Sequence, residues 1–264
     1  MNLITNFLRN NTNSCAFVPF ITAGYPNVQL CIEALKILDK KGADLIELGI
    51  PYSDALADGP IIQESSQIAL RQGVYIEQVL YILKKVTDDL NVPIIIFTYY
   101  NPMLVRGIYK FINEISDLGV KGLIIPDLPL EEVDHIIEIC DLCSIELILF
   151  ISPTSSEARI KMILSKSTGS VYLVSSCGVT GLRKNINLQI EDTVNLIKSK
   201  TDKMIMLGFG ISTADQVSQI VNWNIDGIVV GSAIINTMND KLTKNVLNSL
   251  ADFCVKLKSS MSKI

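Results

Sequence analysis

The sequence predicts an α/β protein folded as a single-domain parallel (β/α)8 barrel (a TIM barrel), residues 1–264, with an extra N-terminal helix. Three observations predict it. Eight short runs are rich in Ile, Val and Leu and barely alternate with polar residues. Stretches with helical periodicity separate them. No linker rich in Pro, Gly or Ser divides the chain. Strands buried on both faces lose polar alternation, which is the mark of a parallel sheet covered by helices. Repeated strand–helix units joined by right-handed crossovers define the α/β class, and eight of them argue for closure into a barrel.

Residues 2–10 read as the extra helix. The runs then follow as Ala16–Ile21, Asp44–Leu48, Pro93–Thr98, Gly122–Pro126, Glu146–Ile151, Ser170–Val174, Lys203–Leu207 and Asp226–Val230. Between them, Gln29–Lys40, Ile61–Arg71, Glu131–Cys143 and Thr213–Asn222 carry helical signals.

Composition excludes several function classes. Hydrophobic residues make up 48 % and charged residues 19 %, so the chain can bury a large core. The net charge is −4, from 23 basic and 27 acidic residues, and no basic block stands out, which disfavours nucleic acid as a partner. No apolar run approaches the roughly 20 residues of a membrane span. The first ten residues lack a basic region followed by a long apolar one, and they are poor in Arg. The chain is therefore expected to work where it is made, in the cytoplasm, or in the plastid stroma if it is plastid-encoded. Six cysteines are scattered along the chain. Cys140 and Cys143 fall late in a predicted helix, whereas a redox pair would open one, so buried structural thiols are the better reading.

In a (β/α)8 barrel the chemistry sits at the C-terminal ends of the strands. Glu47 interrupts the apolar run Leu45–Leu48 at that end. Burial there would raise its pKa and suit a general acid/base, though a carboxylate capping a loop amide would look the same. Asp58 follows in Leu56-Ala-Asp-Gly-Pro60. It reads either as a second proton-transfer group or as a helix or turn cap, as does Asp54. Gly208-Phe-Gly210 and Gly231-Ser232 follow the last two strands and precede helices. Those loops form the usual phosphate site of such barrels, where glycine lets backbone N–H groups approach and the helix dipole favours an anion. Ordinary turn glycines are the alternative. His135 is the one histidine, in a predicted helix, so a His-based metal site or a Ser-His-Asp triad is disfavoured. Lys121 and Lys203 sit at the wrong ends of their strands for an imine-forming lysine.

The segment Glu47-Leu-Gly-Ile-Pro-Tyr-Ser-Asp-Ala-Leu-Ala-Asp-Gly-Pro60 resembles the signature of the tryptophan synthase alpha chain family. The resemblance covers nearly the whole chain, through Phe17–Gly24, Thr98–Pro102, Pro126–Pro129, Gly178–Gly181, Gly208–Ser212 and Gly231–Ile234. Its details look most like cyanobacterial and plastid members. It implies retro-aldol cleavage of indole-3-glycerol phosphate to indole and glyceraldehyde 3-phosphate, late in L-tryptophan biosynthesis. Glu47 matches the catalytic glutamate acting at indole C3 and the glycerol hydroxyl. Asp58 matches the aspartate that bonds the indole N–H. Phe20, Tyr99, Tyr172 and Phe209 match residues around the substrate, and Thr180 matches the threonine of a closing loop. Gly181, Gly210, Gly231 and Ser232 match the phosphate cradle. Asp54, Asn101 and Pro129 match positions used toward a beta chain, in an α2β2 assembly whose pyridoxal phosphate belongs to that partner. No cofactor or metal is expected on this chain. Ala55 stands where most members have proline, which stiffens a loop. A stand-alone indole-3-glycerol phosphate lyase and a non-catalytic activator of a beta chain remain as alternatives.

Overall fold

The structure is a computed structural model and describes residues 3–10, 15–174, 184–208, 210–239 and 245–261. Eight parallel strands close into a barrel in sequence order. They are β1 (Ala16–Thr22), β2 (Ile46–Gly49), β3 (Ile94–Phe97), β4 (Gly122–Ile124), β5 (Glu146–Ile151), β6 (Val171–Val174), β7 (Ile205–Gly208) and β8 (Gly227–Val230). The helices are α1 (Leu3–Asn10), α2 (Val28–Lys40), α3 (Pro60–Arg71), α4 (Ile76–Val86), α5 (Tyr100–Arg106), α6 (Ile108–Asp117), α7 (Val133–Leu142), α8 (Glu157–Lys166), α9 (Lys184–Lys198), α10 (Ala214–Ile220), α11 (Ser232–Thr237) and α12 (Val246–Ser259).

Local chemistry sets the element ends. Asn27 caps α2 by accepting from the Leu30 amide, and Ser156 caps α8 by accepting from that of Arg159. Pro60 opens α3, where its missing N–H costs nothing. The expected helix Glu131–Cys143 instead begins as a 3-10 turn, Leu130–Glu132, before α7. Pro129, extended at φ −63°, ψ 141°, ends the preceding loop and the chain tightens as it enters the helix. Pro19 lies inside β1, and its lack of an N–H is accommodated where pairing changes hands. Residues 16–19 pair with β8 and residues 20–22 with β2.

The strand register chooses which side chains face inward. Phe20 lies opposite Glu47, which lies opposite Ile95, which lies opposite Gly122. Phe150 lies opposite Tyr172, and Tyr172 opposite Met206. At the N-terminal end of the barrel, α1 acts as a plug. The Glu146 carboxylate accepts from the Thr5 amide (2.9 Å), the Thr5 hydroxyl (2.7 Å) and the Ser170 amide (2.7 Å). Glu146 is buried, and these bonds compensate its lost hydration.

Three strands run one residue beyond the apolar runs, β1 into Thr22 and β2 and β7 into Gly49 and Gly208. Glycine reads as a turn residue, but here it pairs in register with Phe97 and Val174. The reason is crowding: a Cβ at Gly49 would lie 2.5 Å from Phe20 Cζ, and one at Gly208 would collide with the Tyr172 hydroxyl. These glycines let two large rings lie across the barrel mouth.

Candidate active site

One cavity of about 900 Å³ opens at the C-terminal ends of the strands. Glu47, Asp58, Phe20, Tyr172, Gly210, Gly231 and Ser232 all line it. The fold therefore brings the carboxylates, two of the expected substrate residues and three of the expected phosphate residues into one chamber. Thr180, Gly181 and Phe209 lie outside the described residues, as does Cys177.

β2 presents Glu47 inward among apolar neighbours, 2 % exposed. Its Oε2 is buried with no hydrogen-bond partner among the described residues. Burial, and then the charge of Asp58, push the Glu47 carboxyl up to about 8. The loop after β2 carries Asp58 to the same chamber, where burial raises it to about 6 and a Tyr99 hydrogen bond pulls it back down. Two carboxyls with divergent pKa values share one site, which is how acid and base roles become separated.

Tyr99 is buried and does not open on the chamber through its ring; its hydroxyl works from behind. It donates to Asp58 Oδ2 (3.1 Å) and accepts from the Ala57 amide (2.9 Å). The Tyr52 ring packs on it at 5.2 Å, and Asn101 Nδ2 donates to the Tyr52 hydroxyl at 3.4 Å. Asp54, Asn101 and Pro129 are exposed on the rim, where Leu56 is 91 % exposed.

Aromatic edges form the walls. Phe97 meets Phe20 at 5.8 Å and Phe150 at 6.4 Å, both near perpendicular, and Phe150 meets Tyr172 at 4.8 Å. Phe20, Phe97, Phe150 and Tyr172 all line the cavity, so aromatic rings form part of its walls. Sequence reasoning missed Phe97 and Phe150 as site residues. Their signal was position, since each stands at or next to the last residue of its strand and shares the inward face with Glu47 or Tyr172.

The two helix N-termini near Gly210 and Gly231 are not equivalent. At α10 a capping box closes on itself: Gln216 Oε1 accepts from the Ser212 amide (2.8 Å) and the Thr213 amide (3.1 Å). The Ser212 and Thr213 amides are therefore engaged, and the Gln216 amide donates in turn to Thr213 Oγ1. At α11 there is no side-chain cap, so the Ser232 and Ala233 amides of its first turn face an open N-terminus beside the chamber. Gly210 adopts φ +79°, a conformation that favours glycine, whereas Gly231 at φ −106° does not require it.

Among the described residues, no group of three or more His, Cys, Asp or Glu side chains is placed to hold a metal ion. Among them, too, no helix is long and apolar enough to cross a membrane. The fold and the chamber together define a (β/α)8 barrel with a buried pair of carboxyls, Glu47 and Asp58, in its mouth. A sequence profile described as "Tryptophan synthase alpha chain" matches residues 7–262. The tryptophan synthase alpha chain of Gracilaria tenuistipitata var. liui is 70 % identical over 261 residues, covering 99 % of this chain and 97 % of that one. A structure of Mycobacterium tuberculosis tryptophan synthase superposes with a TM-score of 0.91 at 28 % identity, covering 100 % of this chain and 99 % of that one. A chain of the tryptophan synthase complex from Pyrococcus furiosus superposes with a TM-score of 0.85 at 31 % identity, covering 94 % and 99 %. The chain belongs to the tryptophan synthase alpha chain family, and with it to the lyases of tryptophan synthesis.

Proposed function

We propose that the chamber cleaves indole-3-glycerol phosphate into indole and glyceraldehyde 3-phosphate. The observation that carries this reading is Glu47: a buried carboxyl, raised to about 8, with one oxygen unpartnered among the described residues, in an aromatic-walled chamber beside Asp58. Protonated Glu47 donates to indole C3, which makes the ring an iminium-like electron sink. Asp58, ionised, accepts from the ring N–H and stabilises the positive charge. The Glu47 carboxylate then takes the proton of the glycerol hydroxyl next to the ring. The carbon–carbon bond breaks, its electron pair restores the indole, and the hydroxyl carbon becomes the aldehyde. Glu47 ends protonated, as it began. Preorganised charge in a water-poor site supplies the stabilisation this route needs.

The aromatic slot of Phe20, Phe97, Phe150 and Tyr172 receives the indole, and the open N-terminus of α11 beside Gly231 and Ser232 receives the phosphate. The exposed rim of Asp54, Asn101 and Pro129, with Leu56, meets a beta chain that carries pyridoxal phosphate and takes the indole, in an α2β2 assembly in the cytoplasm or plastid stroma.

The test is indole release from indole-3-glycerol phosphate, with and without a beta chain. Glu47→Gln abolishes release while substrate still binds, and Asp58→Asn lowers it by about two or more powers of ten. Near-parental rates in either variant would sink the reading. Strong release without any beta chain would favour a stand-alone lyase.

A further inference from the structure

Asp58 sits on a tight turn that is tethered from two sides. On the buried side, the Tyr99 hydroxyl holds Asp58 Oδ2 and the Ala57 amide. On the outer side, Gln63, one turn into α3, donates through Nε2 to two carbonyls at once. They are Asp58 O at 2.9 Å and Ala55 O at 3.1 Å. The Asp58 amide donates to the same Ala55 carbonyl at 3.2 Å. One carboxamide therefore fixes both ends of the turn.

The turn has little else to hold it. Leu56, its largest side chain, is 91 % exposed and contributes almost no packing. Position 55 is a small alanine, buried but with little surface to anchor. A proline at this position would fix φ and narrow the conformations open to the turn; alanine does not. The hydrogen bonds of Gln63 do that work here.

We propose that Gln63 is a positioning residue for Asp58, holding the 55–58 turn so that its carboxyl stays aimed into the chamber. The kinetic arm rests on the reading above that Asp58 serves indole-3-glycerol phosphate cleavage. Gln63 touches no reacting atom. Its effect is on the orientation of a group that must be placed within fractions of an ångström, where small displacements cost large factors in rate.

The experiment compares the full chain with Gln63→Ala, Ala55→Pro and the double variant. Steady-state indole release from indole-3-glycerol phosphate gives kcat and KM, and amide hydrogen exchange reports the Ala57 and Asp58 amides. Gln63→Ala should lower kcat about ten-fold with KM changed less than about two-fold. It should also speed exchange at both amides. Ala55→Pro in the Gln63→Ala background should restore most of the kcat and the protection, because proline supplies the lost stiffness by other means. Parental kcat and parental exchange in Gln63→Ala would overturn the proposal. So would a fall in kcat without faster exchange, since Gln63 would then act on something other than the turn. If the parental chain releases no indole, the functional reading fails, and the exchange arm still decides whether Gln63 holds the turn.

Discussion

The Tyr99 hydroxyl donates to Asp58 Oδ2 across 3.1 Å while accepting from the Ala57 amide at 2.9 Å. A phenol held by a backbone amide is a fixed donor, and it favours the ionised form of Asp58 against the penalty of burial. Tyr99→Phe removes the donor and leaves the ring. Asp58 should then titrate above its present value of about 6, and kcat should fall about ten-fold, the scale of one hydrogen bond to a charged group. The check is the acid limb of the rate profile, which should move to higher pH while the alkaline limb stays. An unmoved acid limb would mean that Asp58 is not the group reported there.

The parental profile follows from the same two carboxyls. The proposed chemistry needs Asp58 ionised and Glu47 protonated. With Asp58 near 6 and Glu47 near 8, kcat/KM should be bell-shaped, with limbs near those values. The limbs belong to the coupled pair, because each charge acts on the other site. A profile flat from pH 5 to pH 9 would contradict the assignment.

Glu47 also makes stability depend on pH. Its folded pKa, about 8, lies above its ordinary 4.5. The unfolded chain therefore releases this proton first as pH rises, and stability falls between about 4.5 and 8, after which the loss is complete. Asp58 adds the same sign between 3.8 and about 6. The slope from pH 6 to pH 8 is thus mainly Glu47's, amounting to a few kcal/mol at about 1.4 kcal/mol per pKa unit. Glu47→Gln should abolish activity yet raise Tm relative to the parent at pH 8.5, on the order of 5 °C, with a smaller gain at pH 5. Equal Tm differences at the two pH values would show that Glu47 is not held protonated.

How much of this was legible in the sequence depends on whether a residue's local pattern differs from its neighbours. Glu47 stood out because a carboxylate interrupts an apolar run at the catalytic end of a strand. The eight strands stood out for the same reason, as unbroken Ile and Val. Phe97 and Phe150 did not, because an aromatic residue in an apolar run looks like core, and only the closed register shows that both face the chamber. The strand places of Gly49 and Gly208 did not show, because the rings that require them, Phe20 and Tyr172, are distant in sequence. Gln63 fell inside the expected helix Ile61–Arg71 with nothing in its pattern to single it out. Its two bonds back to the preceding loop leave no trace in periodicity. Ahead of α10, the sequence did not show that Gln216 folds back to occupy the Ser212 and Thr213 amides.

Gly208 tests the aromatic wall. A Cβ there collides with the Tyr172 hydroxyl and would lie 2.5 Å from Cζ and 2.7 Å from Cε1. Tyr172 is buried and packs at 4.8 Å on Phe150, so it has little room to move. Gly208→Ala should cost about 1–3 kcal/mol of stability by overpacking and reduce indole release. Adding Tyr172→Phe removes the nearest atom and should recover part of the lost Tm. No recovery would mean that the strain lies in the backbone.

Gly231 tests the phosphate site, and here the choice of substitution matters. Its φ is −106°, so a side chain meets no left-handed backbone strain. A Cβ would make ordinary contacts, 3.4 Å to Ile62 Cδ1 and 3.6 Å to Phe20 Cδ1. Gly231→Ala should therefore leave Tm nearly unchanged. Gly231→Val adds two methyl groups to the same space, beside the Ser232 amide at the uncapped start of α11. A phosphate that approaches those amides loses its place, and the dipole of the first turn loses its counter-charge. KM for indole-3-glycerol phosphate should rise at least about ten-fold in Gly231→Val and much less in Gly231→Ala, the loss of one charged hydrogen bond being worth about 1.5–3 kcal/mol. Inorganic phosphate should compete more weakly against substrate in the same order. If KM stays at the parental value in Gly231→Val while the protein remains folded, the phosphate binds elsewhere. The Ser212 and Thr213 amides ahead of α10 would be a poor second choice, because Gln216 would first have to release them.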